Sequence, residues 1–344
     1  MLQKNSDELA PAPGRRARMI IDAIAGAISG CISRIAVGPL DVIKIRFQVQ
    51  LEPLTASKAS KYTGIRQALT TVFKEEGIQG LWRGTVPGLL MTVPYTAVQF
   101  VALQQCKEAA AVLGLTSSEI KSSSLVSFSS GAIAGAAATV ASYPFDLLRT
   151  TLAAQGEPKV YCNMFEAGQG IIKQHGLIGL YRGLGVTLVE IMPYAALQFG
   201  LYDMFTEAWQ ESRHSRKGTS LEGPRVDGLA HFSAGLLAGL FAKLASHPLD
   251  VVKKRYQVAG LQRSLSYGAR IETDFALQRL HEGLHGILRT EGFAGLWKGS
   301  GPSILKAGPA AAITFTAYEI VLALLLKPTN PLLTADLELC KKQE

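Results

Sequence analysis

Three pairs of opposite charge recur at one spacing: Asp41 with Lys44, Asp146 with Arg149, and Asp250 with Lys253, each acid two residues after a proline. An acid and a base three residues apart share one face of a helix, which suits them to ion pairing and not to bond making. No Ser/His/Asp constellation, phosphate-binding Gly-Lys loop or metal-ligand cluster accompanies them, so enzyme chemistry has little support and neither a cofactor nor a metal is expected. His231, His247 and the other scattered histidines read as helix-packing residues. The chemistry on offer is reversible pairing of charge.

The three hexapeptides, PLDVIK, PFDLLR and PLDVVK, place their aspartates 105 and then 104 residues apart, so the chain is three copies of one unit. Fifteen residues before each aspartate stands Gly26, Gly131 or Gly235, followed four residues later by Gly30, Gly135 or Gly239. Downstream come the triplets Trp82-Arg83-Gly84, Tyr181-Arg182-Gly183 and Trp297-Lys298-Gly299, and ten residues past their glycines Pro94, Pro193 and Pro309. The expected organisation is a polar tail over 1–18, repeats over 19–113, 121–211 and 228–327, a linker over 212–227 and a polar tail over 328–344. Cys31, Cys106, Cys162 and Cys340 lack metal-ligand or redox spacing and read as free thiols in a reducing compartment. Met1 to Arg18 lacks the apolar stretch of a secretory signal.

These units must sit in an apolar medium. The chain is 48% hydrophobic, with a mean hydropathy of +0.19, yet carries a net charge of +8. That is too apolar for a basic nucleic-acid binder, so no nucleic-acid partner is expected, and too charged for a simple apolar bundle. Candidate spans are Met19 to Gln48, Gly84 to Leu113, Leu125 to Ala154, Leu184 to Trp209, Leu229 to Val258 and Ser300 to Leu326. Each is long enough to cross a hydrocarbon core of about 30 Å with tilt. Polar residues inside the spans are costly in lipid unless they face protein or water, so the spans should ring an aqueous cavity. The paired glycines read as close helix contacts, and Tyr62 to Gly77 and Phe275 to Gly292 as amphipathic helices at the membrane surface. The fold class is an all-α membrane protein of six tilted transmembrane helices in three pseudo-symmetric repeats with surface helices.

The triple Pro-x-Asp-x-x-(Lys/Arg) motif is followed by Glu76-Gly77 before Trp82-Arg83-Gly84, by His175-Gly176 before Tyr181-Arg182-Gly183, and by Glu291-Gly292 before Trp297-Lys298-Gly299. In this pattern the chain resembles the mitochondrial carrier family over about Met19 to Leu326, departing from it at His175, where the other repeats have glutamate. The resemblance implies a monomeric, multi-pass carrier of the mitochondrial inner membrane that exchanges solutes by alternating access. It also implies a matrix gate pairing Asp41 with Arg149, Asp146 with Lys253 and Asp250 with Lys44. A second ring is expected at the cytoplasmic mouth, where only Lys107 with Glu319 keeps both charges, so that side should close weakly and the resting state should open to the cytosol. Arg83, Gly84, Arg182, Gly183, Lys298 and Gly299 read as sites for anionic lipid head groups, cardiolipin above all.

A solute is rarely three-fold symmetric, so its site is sought where the repeats differ. Seven residues after each triplet glycine stand Met91, Glu190 and Lys306; four further on are Tyr95, Tyr194 and Ala310, and four more give Gln99, Gln198 and Thr314. This spacing lines one helix face. Five residues before the motif prolines stand Arg34, Thr139 and Lys243. The family resemblance puts Met91, Glu190 with Ile191, and Lys306 at the central contact points, with Arg34 and Lys243 nearby. Arg34, Lys243 and Lys306 suit phosphate oxygens, and Tyr95 and Tyr194 suit a flat ring, or equally packing between helices. Glu190 suits an amino group or a ring cation, unless Lys306 is simply its ion-pair partner.

PLDVIKIRFQVQ, AAQGEPKVY, PYAALQFG and HPLDVVKKRYQVAG resemble stretches of the animal-type members of that family that carry thiamine pyrophosphate. That resemblance implies uptake of thiamine pyrophosphate in exchange for nucleotides. Two alternatives stay open: a carrier of adenine nucleotides or coenzyme A-like solutes, and a carrier-fold scaffold without transport.

Overall fold

A computed structural model describes residues 15–54, 60–112, 124–215 and 224–326. The terminal tails beyond these, residues 216–223 of the linker, Cys340 and the side chain of Lys107 lie outside the described residues. The described chain is helical: α1 (Arg15–Val49), α2 (Ile65–Gly80), α3 (Thr85–Leu90), α4 (Thr92–Val112), α5 (Ser124–Ala154), α6 (Met164–His175), α7 (Leu184–Ser215), α8 (Pro224–Val258), α9 (Leu280–Glu291) and α10 (Ser300–Leu325). Five stretches are long and apolar enough to cross a membrane: Ile21–Val49, Thr85–Cys106, Leu177–Gln210, His231–Val258 and Phe293–Leu325. The expected span Leu125 to Ala154 is occupied by α5, a further helix of 31 residues.

The motif prolines Pro39, Pro144 and Pro248 lie inside α1, α5 and α8, which run on through them. Pro94 has no N–H to offer the Leu90 carbonyl, so one rung is missing where α3 passes into α4, while Met91 between them keeps helical dihedrals and its bonds to Pro87 and from Tyr95.

By its contacts the chain forms two compact units, one of residues 38–307 and one combining the residues up to Val37 with those from Gly308 onward. Within the second unit the Ser33 hydroxyl donates to the Ala310 carbonyl (2.9 Å) and the Tyr318 hydroxyl to Asp22 (3.2 Å). Within the first, α7 packs along α8 and α4 along α5. Its central feature is a cluster in which the C-terminal ends of α1, α5 and α8 meet: Val42, Ile45 and Val49 of α1, Ala153 and Ala154 of α5, and Val258 of α8 with Ala259 just beyond it. Three further clusters seat the surface helices, with Ala68 and Val72 of α2, Ala167 and Ile171 of α6, and Ile287 of α9 as their buried faces.

Two expectations need adjustment. The third surface helix starts at Leu280 and not at Phe275, because Gln278 and Arg279 are extended and the Glu282 carboxylate accepts the Arg279 backbone N–H (2.9 Å), which fixes the helix start there. Phe275 lies instead in a short 3-10 turn, Thr273–Leu277, edge-on to Tyr256. The paired glycines are also mostly not close contacts here, although a Cβ at Gly235 would meet the Tyr202 ring at 3.9 Å. A Cβ at Gly131, Gly135 or Gly239 would meet no atom within 4 Å among the described residues. Two glycines on one face permit a close approach but do not supply the neighbour that makes it.

Candidate functional site

The ends of α1, α5 and α8 meet in one cluster, and the acid and base of each motif lie one turn apart near those ends, so charges from different repeats come together. Arg149 Nη2 lies 2.6 Å from Asp41 Oδ2, Lys253 Nζ 3.1 Å from Asp146 Oδ2 and Lys44 Nζ 2.7 Å from Asp250 Oδ2. Each base bonds the acid of another repeat. The network is drier than a surface, with Asp250 4% and Lys44 9% exposed.

The triplet glycines are part of this assembly. Gly84, Gly183 and Gly299 hold φ of 81°, 84° and 84°, which favours glycine. A Cβ at Gly84 would stand 2.4 Å from the Arg149 carbonyl oxygen, at Gly183 3.4 Å from that of Lys253, and at Gly299 3.0 Å from that of Lys44. Each triplet therefore abuts the backbone of the base contributed by another repeat.

The residues of the asymmetric level join the same network. Lys243, on the face of α8 that meets α7, lies 3.0 Å from Glu190 Oε1 and, two turns along its own helix, 3.3 Å from Asp250 Oδ2. Its ammonium also stands 5.9 Å from the centre of the Tyr194 ring. Lys306 bonds Asp41. The partner of Glu190 is therefore Lys243 and not Lys306, because α7 and α8 pack side by side while Lys306, on α10, reaches Asp41. Among the described residues the network sets six cations (Lys44, Arg149, Lys243, Lys253, Lys254, Lys306) against four carboxylates (Asp41, Asp146, Glu190, Asp250), an excess of positive charge that suits an anion.

The other candidates are less committed. Met91, Tyr95, Gln99, Ile191, Tyr194 and Gln198 are half-buried on α4, α7 and the junction before α4. Thr139 turns its hydroxyl to the Gly135 carbonyl (2.7 Å). Arg34, Ala310 and Thr314 belong to the other compact unit, where the Thr314 hydroxyl donates to the Ala310 carbonyl (2.7 Å). Glu319 lies there too, while the side chain of Lys107 is outside the described residues. Arg83, Arg182 and Lys298 turn inward. Arg83 bonds Glu76 (2.8 Å) and Glu157, Arg182 donates to the Ala259 carbonyl, and Lys298 bonds Glu291 and the carbonyls of Gln50, Leu51 and Glu52.

Several members of the network were not singled out from sequence. Gln48 and Gln257, nine residues after Pro39 and Pro248, donate side-chain amides to Asp250 (3.1 Å) and Asp146 (2.9 Å). Lys254 reaches Asp146 (3.3 Å), the Thr150 hydroxyl (2.8 Å) and Gln257 Oε1 (2.9 Å). Arg46 and Arg255, seven residues after the same prolines, bond Glu76 and Glu291. Their common offset from the motif proline was the available signal; the second repeat lacks both, with Ala153 and Thr151 at those positions.

The pattern that describes the mitochondrial carrier protein matches the chain three times, over residues 15–111, 121–213 and 225–329. The chain belongs to the mitochondrial carrier family. It is thus a multi-pass protein of the mitochondrial inner membrane, in a family of solute transporters. Among this carrier's relatives, the mitochondrial thiamine diphosphate carrier 1 of Arabidopsis thaliana is 52% identical over 320 residues, covering 90% of this chain and 95% of the relative. The mitochondrial thiamine diphosphate carrier 2 of Zea mays is 50% identical over the same shares. The mitochondrial thiamine pyrophosphate carrier of Homo sapiens is 36% identical over 315 residues, 90% of this chain and 93% of the relative. Identity is thus higher to these plant carriers than to the human one.

Proposed function

We propose that this carrier moves thiamine pyrophosphate into the mitochondrial matrix, in exchange for nucleotides, with the Asp41–Arg149, Asp146–Lys253 and Asp250–Lys44 pairs as its matrix gate. The names of its relatives support the solute, and the net positive network supports an anionic one. The observation that carries the mechanism is that Lys306 and Lys243, two bases of the asymmetric level, bond the gate acids Asp41 and Asp250. A diphosphate that captures both lysines withdraws one cation from each of those acids. A cluster of three ions at Asp41 and one of four at Asp250 are then reduced to the simple pairs Asp41–Arg149 and Asp250–Lys44, each gate acid keeping one cation in place of two. Binding energy is thereby converted into a weaker gate, as a differential affinity for the open state requires. Glu190, released from Lys243, faces the thiazolium cation, with Tyr194 beside the rings.

The carrier works as a monomer without cofactor, metal or catalysis. Anionic lipid, cardiolipin above all, docks at Gly84, Gly183 and Gly299; since Arg83 and Lys298 are engaged with Glu76 and Glu291, backbone N–H groups are its main donors there. The weak Lys107–Glu319 mouth favours a resting state open to the cytosol, and cysteine cross-linking that finds both mouths equally costly to close would remove that part. The principal test is thermal unfolding of the purified carrier with thiamine pyrophosphate, thiamine, ADP or coenzyme A. Thiamine pyrophosphate should stabilise most; a larger shift with ADP or coenzyme A would move the assignment to a nucleotide or coenzyme A carrier.

A further inference from the structure

The first and third repeats contain the same buried charge knot on the matrix side. Glu76 accepts from Arg46 and Arg83, and Glu291 from Arg255 and Lys298, with both carboxylates almost without exposure. Arg46 also crosses to the end of α5, donating to the carbonyls of Ala153 (3.1 Å) and Gln155 (3.0 Å), and Arg255 crosses to the end of α1 at Gln48 (3.0 Å) and Gln50 (3.4 Å).

In the second repeat two of the three members are missing. Thr151 stands where Arg46 and Arg255 stand, and its hydroxyl turns back to the Leu147 carbonyl (3.0 Å). His175 stands where the glutamates stand. Arg182 remains, its Nη1 donating to the Ala259 carbonyl, and no carboxylate within ion-pair distance of it occurs among the described residues. A guanidinium carries five N–H donors in a planar fork, so donors are left over. A half-open cavity of about 30 Å³ lies there, lined by Thr151, Gln174, His175, Arg182 and Gln257 among others, enough for a water or a small ion. Burial first, and then the neighbouring Arg182 guanidinium, pull the His175 pKa below the ordinary imidazole value.

We infer that the second repeat holds a small-anion site at Arg182, His175 and Gln174, in which one chloride, or one oxygen edge of a phosphate or carboxylate, stands in for the glutamate side chain that the other repeats supply. The occupant would be a charge-assisted acceptor for the Arg182 fork and tie α6 to the start of α7, as Glu76 and Glu291 tie their own surface helices. The anion could come from solution or from a lipid head group.

The test is thermal unfolding of the full chain in nanodiscs of neutral phosphatidylcholine, at fixed ionic strength, with chloride or inorganic phosphate replacing gluconate. The midpoint of the native protein should rise with the logarithm of anion concentration. The rise should fall to the smaller dependence that the solute site contributes in all three proteins, both in Thr151→Arg/His175→Glu, which rebuilds the knot, and in His175→Glu alone, which serves if the double variant does not fold. All three proteins keep the central lysines, so anion effects at the solute site are common to them, and failure here leaves the transport reading untouched. A shift given only by added anionic lipid, and lost in the variants, assigns the site to a head-group phosphate. Equal anion dependence in native and variant proteins, or none in any, overturns the proposal.

Discussion

Lys243 Nζ stands 3.0 Å from Glu190 Oε1, joining α8 to α7 at the level where the repeats differ. Replacing Glu190 by Gln keeps the shape and removes the charge. If the solute carries a thiazolium, transport of thiamine pyrophosphate should lose about 1.5–3 kcal/mol in apparent affinity, tenfold or more, while ADP transport changes little. Uptake of both solutes into proteoliposomes reads this directly; equal losses for both would remove Glu190 from cation recognition.

The charge knots predict a contrast between repeats. Glu76→Gln leaves Arg46 and Arg83 buried without their acid, and Glu291→Gln does the same to Arg255 and Lys298. Each should cost about 3–5 kcal/mol. His175→Gln, at the equivalent place, should stay within about 0.5 kcal/mol. Unfolding midpoints of the three variants decide the matter, and a His175→Gln effect as large as the others would contradict it.

The two glycines of the first repeat with positive φ should not be equally sensitive. Gly84→Ala pushes a methyl to 2.4 Å from the Arg149 carbonyl, whereas at Gly77 (φ 69°) a methyl meets nothing within 4 Å. Backbone strain of about 1–2 kcal/mol applies to both, and only Gly84→Ala adds a collision with the Arg149 backbone. Transport should therefore fall far more in Gly84→Ala, measured at equal protein incorporation.

Gln257 is 4% exposed and bonds Asp146, Thr150, Lys254 and Tyr143. Gln257→Ala leaves several buried partners unsatisfied and should lower stability by about 1–3 kcal/mol. Gln48→Ala should cost less, since the Gln48 amide bonds Asp250 while its Oε1 lacks a hydrogen-bond partner among the described residues. Thermal unfolding in detergent tests the order.

His175 supplies a pH dependence whose sign is fixed. Its folded pKa is lowered, so the folded protein binds the imidazole proton less readily than the unfolded chain does, and stability falls as pH drops below the ordinary value of about 6.5. His175→Gln should remove this part of the loss. Unfolding midpoints of the two proteins should converge above pH 7 and separate below pH 6, the native protein being lower; parallel curves would show that His175 does not contribute.

The sequence by itself determined the triple repeat, the long helices and the residue types at each level, because these depend on periodicity and on local spacing. It also marked His175 as a departure. What it could not give was why that departure is tolerated. The loss of Arg at Thr151 explains it, and the two positions are 24 residues apart in sequence yet line one cavity. Likewise the sequence offered Lys306 as the partner of Glu190, and a lysine's four-carbon stem lets its charge reach several acids. Only the packing of α7 against α8, and the reach of α10 to Asp41, assigned the pairs. Every member of the central network bonds across repeats, and such contacts are set by how the helix ends converge, which no spacing within one repeat encodes.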